Sequence, residues 1–406
     1  MEECHCALAQ SPVLKNRPVP AQAFFHGTKE CPGAETRGTK QPSTFAAMAG
    51  SIQGKLFRLV SFGESHGAAI GGVVEGCPAG LHLDESAVQE EVDRRRPGST
   101  PLGTSRQESD QVEILSGVYK GTTLGTPIAF IIRNKDARSG DYDQLKDAFR
   151  PGHADLTWEQ KFGLRDHRGG GRTSARETAV RVAAGAIARQ LLATAGMAVH
   201  GWVSQVGSER LQIPYKELRL DRVYGSEVRC PDEGAAMRMA ALIAQVRAEG
   251  DTLGGRISCV AQGVPPGLGE PVFDKLHADL GKAMFSINAV KGVQFGSGFD
   301  AAAMRGSEHN DAFVNRSGVI GTATNRSGGV QGGISNGEDI LFDVAFKPVS
   351  SLMRPQPTLD REGGEVVLEG KGRHDPCVVP RAVPIVEAMC CLVLADHLLR
   401  QRAAQV

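Results

Sequence analysis

Two histidines stand in short glycine-bearing turns, a setting that suits proton transfer to a ligand held close to the backbone. One lies in Gly63-Glu64-Ser65-His66-Gly67, the other in Arg150-Pro151-Gly152-His153-Ala154-Asp155. Imidazole titrates near pH 6.5 when unperturbed, so either ring suits acid or base work near neutrality. The plainer readings are a turn histidine bonded to backbone in the first case and a surface turn with a local ion pair in the second.

Three further clusters suit an anion or a flat ligand. Arg168-Gly169-Gly170-Gly171-Arg172-Thr173-Ser174-Ala175-Arg176 runs three glycines between arginines into an expected helix start. Free N–H groups and the positive helix end there favour a phosphate over a plain cap. The segment is neither a Walker loop nor GxGxxG, so no nucleotide fingerprint applies. Asn325 to Ser335 carries two Gly pairs four residues apart, Gly328-Gly329 and Gly332-Gly333. Such spacing suits backbone laid against a flat ligand, or a turn between strands. Lys347-Pro348-Val349-Ser350-Ser351 follows as another candidate phosphate contact. In Lys371-Gly372-Arg373-His374-Asp375-Pro376-Cys377, the proline holds Asp375 out of the helical region, which also suits a plain turn into the last helix.

Charge sharpens the picture. Lys+Arg and Asp+Glu are 46 each, a balance that argues against bulk nucleic-acid binding. Yet twelve arginines fall between Arg94 and Arg181. They read either as a solvated face salted with acids or as a pocket for a small polyanion, whose carboxylates and phosphates match guanidinium forks. Fifty of the 406 residues are glycine, against a usual share of about 7%, and they cluster between apolar segments without a repeat period. The nine cysteines form no CxxC pair, and Cys4-His5-Cys6 lacks a second half for zinc. They read as buried or free thiols of a reducing compartment. No apolar run reaches the roughly 18 residues of a membrane span.

These clusters must be positioned by regular elements. Residues 1–47 lack an apolar period and read as a disordered extension ahead of a domain over 48–406. Strands are expected over Leu56–Phe62, Ile70–Val74, Ile128–Ile132 and Ile257–Ala261. Helices are expected from Asp84 to Pro97, Ser174 to Ala195, Pro231 to Glu249, Phe273 to Met284 and Pro384 to Arg400. The last is apolar nearly all round and so should be buried. Gly76-Cys77-Pro78-Ala79-Gly80-Leu81 and Gly263-Val264-Pro265-Pro266-Gly267-Leu268 both sit between a strand and a helix. They are a duplicated strand–turn–helix unit or chance turn chemistry. Helices segregating with antiparallel strands imply a layered α+β domain.

Together the five clusters, in this order, resemble the chorismate synthase family. The resemblance runs from Met48 to Arg402 and is strongest over Gly63 to Gly67, Arg150 to Asp155, Gly169 to Arg176, Ser286 to Gly292 and Gly372 to Cys377. It implies a single large β-α-β sandwich and a homotetramer. It implies anti-1,4-elimination of phosphate from 5-enolpyruvylshikimate 3-phosphate, with reduced FMN and with NADPH or an external flavin reductase as the source of electrons. By this resemblance His66 protonates the departing phosphate and His153 steadies the reduced flavin. Asp375, helped by Ser65 and Ser174, serves the removal of the C6 proton. FMN would be held by Arg172, Thr173, Ser174, Asn288, Ala289, Gly332, Lys347, Pro348, Val349, Ser350, Ser351 and Arg373. The anionic substrate would be held by Arg95, Arg150, Arg176 and Arg373.

Two positions depart from the family pattern. Pro101 stands where a substrate-side arginine is usual, and Arg106 is expected to compensate. Val349 stands where threonine is common. Two rival readings remain: a metal-dependent hydrolase with His66, His153 and Asp375 as ligands, and a flavin-binding protein without catalysis. The expected location is the cytoplasm, or a plastid if residues 1–47 form a targeting segment. No metal, membrane or nucleic-acid partner is expected.

Overall fold

The computed structural model describes residues 49–98, 102–104, 108–135, 145–370 and 374–404. Two five-stranded antiparallel sheets enclose a layer of helices. The first contains β1 (Ile52–Gln53), β2 (Arg58–Gly63), β3 (Ala69–Glu75), β4 (Val112–Ile114) and β5 (Ile128–Arg133), in the order β1-β2-β3-β5-β4. The second contains β6 (Ala198–Val206), β7 (Glu209–Arg210), β8 (Gly255–Gln262), β9 (Val290–Phe295) and β10 (Ile340–Phe346), in the order β9-β10-β8-β6-β7. Between them lie α1 (Glu85–Arg95), α3 (Thr178–Ala193), α5 (Leu276–Phe285) and α6 (Val379–Ala404). Outside this layer are α2 (Asp155–Phe162), which follows the second histidine turn, and α4 (Glu233–Ala248), which packs on β6 and β7. The fold is the expected α+β sandwich.

Alternation dictates which face of each strand turns inward. On β5, Ile128, Phe130 and Ile132 are buried, and they join Ile70 and Val74 of β3 against α3. Helix α3 crosses α6 closely: a Cβ on Gly185 would lie 2.4 Å from the Ala388 Cβ. Helix α6 is buried from Val379 to Leu398, as its all-round apolar sequence predicts. It is long and apolar enough to cross a membrane by length and composition, but it fills the middle of the sandwich.

Three helix starts differ from those expected. Helix α6 starts at Val379, five residues before the expected Pro384, which lies inside it. An interior proline forfeits one helical hydrogen bond, and the burial of both flanking turns outweighs that loss. Ser174 does not start α3. It caps a 3-10 turn over Ala175–Glu177, accepting from the Arg176 N–H at 3.4 Å, and the α-helix begins at Thr178. Helix α5 begins at Leu276 rather than Phe273, whose ring is exposed. Asp84 caps α1 as expected, accepting from the Ser86 and Ala87 N–H groups at 2.9 and 3.2 Å.

The two Gly-x-Pro-x-Gly-Leu turns have the same geometry. Each leaves the central strand of its sheet, β3 or β8, and leads to a helix of the middle layer. The Thr123 hydroxyl donates to the Pro78 carbonyl (2.6 Å) and accepts from the Leu81 N–H (3.0 Å). The Ser335 hydroxyl does the same for Pro265 (2.6 Å) and Leu268 (2.8 Å). The sandwich is therefore built on a repeated strand–turn–helix unit, each turn stapled by one hydroxyl.

Candidate active site

Segments far apart in the chain meet around a cavity of about 200 Å³. The end of α1 contributes Arg95, and the histidine turn contributes Arg150 and His153. The glycine run and the turn after it bring Gly169, Ser174 and Arg176. Val349, Ser350 and Ser351 form a further wall, and Asp375 and Arg381 close the site from the start of α6.

Arg95 and Arg176 share one carboxylate. Asp110 is fully buried, with Oδ2 3.3 Å from the Arg95 guanidinium and Oδ1 bonded to that of Arg176. Burial alone would raise the Asp110 carboxyl, but the Arg95 and Arg176 cations outweigh it and hold it below the usual carboxylate range. Burial, with the Arg381 and Arg176 cations close by, pulls the Arg95 guanidinium down. Arg95 also donates to the Ala175 carbonyl (2.5 Å) and the Thr178 hydroxyl (3.1 Å), so it fixes the turn that carries Arg176. One Arg176 nitrogen, Nη2, is buried without a hydrogen-bond partner and lies 4.0 Å from the buried Glu108 carboxylate.

Asp155 organises the second histidine turn. It takes two parallel bonds from Arg150, Nε to Oδ2 and Nη2 to Oδ1, both 2.8 Å. Its Oδ1 lies 3.0 Å from His153 Nδ1. Burial would raise this carboxyl, but bonds from Arg150 and His153 drive it far below the usual range. The same Nδ1 lies 3.1 Å from Arg150 Nη2, so carboxylate and guanidinium together fix the ring. The local ion pair allowed for this motif is present, and it sets the histidine rather than excluding it.

The glycine run is a left-handed turn, with φ of 60°, 81° and 52° at Gly169, Gly170 and Gly171. It separates the two histidines. A Cβ at Gly169 would fall 2.5 Å from the His66 ring, and one at Gly170 would fall 3.4 Å from His153 Cε1. Ser65 is buried, and its hydroxyl bonds the Gly169 carbonyl at 3.2 Å, so it holds this turn rather than facing the cavity. His66 is nearly as buried, against the same turn.

Asp375 is held at both oxygens, by the Thr104 N–H at Oδ1 (2.9 Å) and by Arg381 at Oδ2. Among the described residues no group of three or more His, Cys, Asp or Glu is arranged to hold a metal. Within the proposed ligand trio, His153 is paired with Asp155 and Asp375 with Arg381.

The candidate flavin contacts divide. Thr173 accepts at its carbonyl from Asn288 Nδ2 (3.0 Å), and the Ala289 carbonyl accepts from the Lys347 N–H (2.9 Å). Lys347 reaches the Ser350 hydroxyl (2.6 Å), which donates to the Gly152 carbonyl (2.8 Å). These segments therefore join the histidine turn. Arg172 turns the other way, onto the Ser61 carbonyl (2.8 Å), and borders a second cavity of about 190 Å³ with Glu64, Arg165 and Trp158. Gly332 lines neither cavity. It sits in a hairpin whose next residue, Gly333, packs on Lys275. The residues present fit a phosphate-bearing, hydrogen-bonding cofactor. Asn288 Oδ1 and Arg172 Nη1 are buried without partners. Burial, with Lys291, lowers the Lys347 ammonium, a cost that an anion beside it would relieve.

Arg373, Pro101 and Arg106 lie outside the described residues, as do residues 1–47. Two residues of the site escaped sequence reasoning. Asp110 stands in no motif, and Arg381 reads as an ordinary residue of the last helix.

Fold and cavity define a class: a β-α-β sandwich with an arginine-lined cleft bearing a carboxylate-held histidine and an arginine-held aspartate. Residues 57–399 match the family described as Chorismate synthase. The chain is 57% identical over 359 residues to the chorismate synthase of Christiangramia forsetii, covering 88% of this chain and all of that protein. It is 55% identical to that of Chloroflexus aggregans, covering 88% and 98%. A chorismate synthase crystal structure superposes with a TM-score of 0.69 at 32% identity, covering 86% of this chain and 93% of the other. The chain belongs to the chorismate synthase family.

Proposed function

We propose that this chain is a carbon–oxygen lyase. It removes phosphate from 5-enolpyruvylshikimate 3-phosphate by 1,4-elimination to give chorismate, the closing step of the shikimate route to the aromatic amino acids. The observation that carries the reading is the convergence of Arg95, Arg150, Arg176, His153, Ser174 and Asp375 on one cavity from separate motifs. A substrate with two carboxylates and a phosphate needs several cations at once, and a neutral protein has gathered them at one place.

Arg95, Arg150 and Arg176 would bind the anionic groups, each guanidinium pre-set by Asp110 or Asp155 so that little freedom is lost on binding. FMN would be held by Arg172 to Ser174, Asn288, Ala289, Gly332, Lys347 to Ser351 and Arg373. Reduced FMN, when bound, supplies electrons that are returned within the cycle and a ring nitrogen that takes up the C6 proton. His66 would give a proton to the departing phosphate oxygen. His153 would donate toward the negatively charged ring, and Asp375 would carry the proton away at its carboxylate. Ser65 and Ser174 hold the turn on which these groups depend.

The assembly we propose is a homotetramer. Large exposed apolar side chains such as Phe299, Phe313 and Ile320 support association. The location would be the cytoplasm, or a plastid if residues 1–47 address it there. The test is an anaerobic assay of phosphate and chorismate release. One arm uses photoreduced FMN and the other FMN with NADPH alone. Release in the first arm only assigns reduction to an external flavin reductase; release in both assigns it to this chain. Tight FMN binding without phosphate release in either arm would favour the flavin-binding rival.

A further inference from the structure

Among the described residues that line the cavity, Asp375 is the one carboxylate, and its position is set from the buried helix behind it. Arg381 lies in the first turn of α6, and its Nη1 donates to Asp375 Oδ2. Both side chains are largely buried and both border the cavity. Asp375 itself sits in a loop. That loop is fixed on its other side by the Pro376 carbonyl, which accepts from the Leu253 N–H at 2.8 Å. A loop carboxylate tethered by a guanidinium on a buried helix is held far more tightly than the loop alone could hold it. The Arg381 Nη1 makes the bond to Asp375, and its Nε is buried without a hydrogen-bond partner.

We infer that Arg381 is the positioning residue for Asp375, fixing the carboxylate where the C6 proton is removed. The inference rests on the elimination chemistry proposed above. Arg381 touches neither reacting atom in this scheme and acts through Asp375. A helix-start ion pair with a purely structural role would alter stability and leave turnover per folded molecule untouched. A substrate-binding role would raise KM.

The experiment compares Arg381→Met, Arg381→Lys, Asp375→Asn and the double variant Arg381→Met/Asp375→Asn. It uses saturating photoreduced FMN, and folded protein is counted by FMN titration. Arg381→Met should lose kcat by about 10²-fold, the scale of a misplaced reacting group, with KM and FMN affinity nearly unchanged. Arg381→Lys should recover part of that loss, because an ammonium can still reach the carboxylate from the same helix turn. In the Asp375→Asn background the Arg381 change should cost no more than about twofold, since the two act as one unit. Full, multiplicative losses in the double variant would overturn the inference, as would a raised KM with kcat intact. Should Arg381→Met fail to fold, the uncharged Arg381→Gln takes its place: wild-type turnover in that variant would overturn the proposal. A wild-type chain that releases no phosphate would instead defeat the elimination reading itself.

Discussion

Both oxygens of Asp155 are committed to the two side chains through which the Pro-Gly-His turn faces the cavity, Arg150 and His153. Arg165 approaches the same carboxylate at 3.8 Å. Removing one partner of such a buried pair leaves charge uncompensated, and Asp155→Asn should cost about 3–5 kcal/mol of stability. The pH dependence follows from the direction of the shift. The folded-state carboxyl lies below its unfolded value of about 3.9, so its contribution is complete above that pH and is lost as pH falls toward the folded value. Urea midpoints of wild type and Asp155→Asn should therefore differ by a constant amount near neutrality and converge below about pH 4. A gap that persists unchanged into strong acid would assign the loss to packing. His66 offers a different test. It lies against Gly169, away from the Lys347–Ser350 contacts, so His66→Ala should slow turnover by about 10²–10⁴-fold while leaving FMN binding nearly intact. Wild-type turnover would remove His66 from the acid role.

At this scale the sequence was legible where local chain chemistry announces itself. His66 and His153 carry glycines beside them, and Asp375 carries Pro376. Asp110 and Arg381 have no such neighbours. Their importance comes from partners 15 and 66 residues away for Asp110, Arg95 and Arg176, and from the packing of a whole helix for Arg381. Periodicity says that α6 is buried and does not say what its first turn will hold.

Elements were legible to the extent that capping and periodicity are local. Asp84 caps α1 at the expected end, whereas α4, expected from Pro231, begins at Glu233 behind an Asp232 cap. Strands β6, β9 and β10 were not anticipated, although β10 alternates buried Ile340, Phe342, Val344 and Phe346 with less buried residues, a period-2 signal present in its own sequence. The crossing of α3 and α6 illustrates what only tertiary structure fixes. Alanine at Gly185 should gain about 1 kcal/mol in helix propensity. Its methyl would lie 2.4 Å from that of Ala388, between helices buried on both sides, and such overpacking typically costs about 1–3 kcal/mol. Gly185→Ala should thus be destabilising and Gly185→Val more so by thermal melting, and Ala388→Gly should restore little because the Ala388 Cα and carbonyl oxygen would still lie 2.5 and 2.9 Å from the new Cβ. Stabilisation by both single substitutions would show that the helices part freely.

For the whole molecule, the resemblance covers the chain from Met48 onward, and the family match spans 57–399. Where the folded unit first depends on its chain can be argued residue by residue. β1 pairs with β2 through Ile52↔Val60 and Gln53↔Leu59. The Ser51 hydroxyl accepts from Arg172 at 3.4 Å. The Asp396 carboxylate on α6 accepts from three consecutive N–H groups, those of Lys55, Leu56 and Phe57, at 2.9, 2.6 and 3.0 Å. Every one of these contacts lies after Met48. A chain beginning at Met48 should therefore keep its turnover, its assembly size by light scattering and its melting temperature. A chain beginning at Phe57 loses β1, the Ser51 contact and two of the N–H groups at Asp396. Each lost bond to a carboxylate is worth about 1.5–3 kcal/mol, and the α6 aspartate is left buried with too few donors. That shorter chain should melt well below the first and bind FMN more weakly, because Arg172 loses one of its anchors. Equal melting of the two would place the start of the folded unit later than these bonds imply, and loss of turnover on cutting at Met48 would give residues 1–47 a part in catalysis.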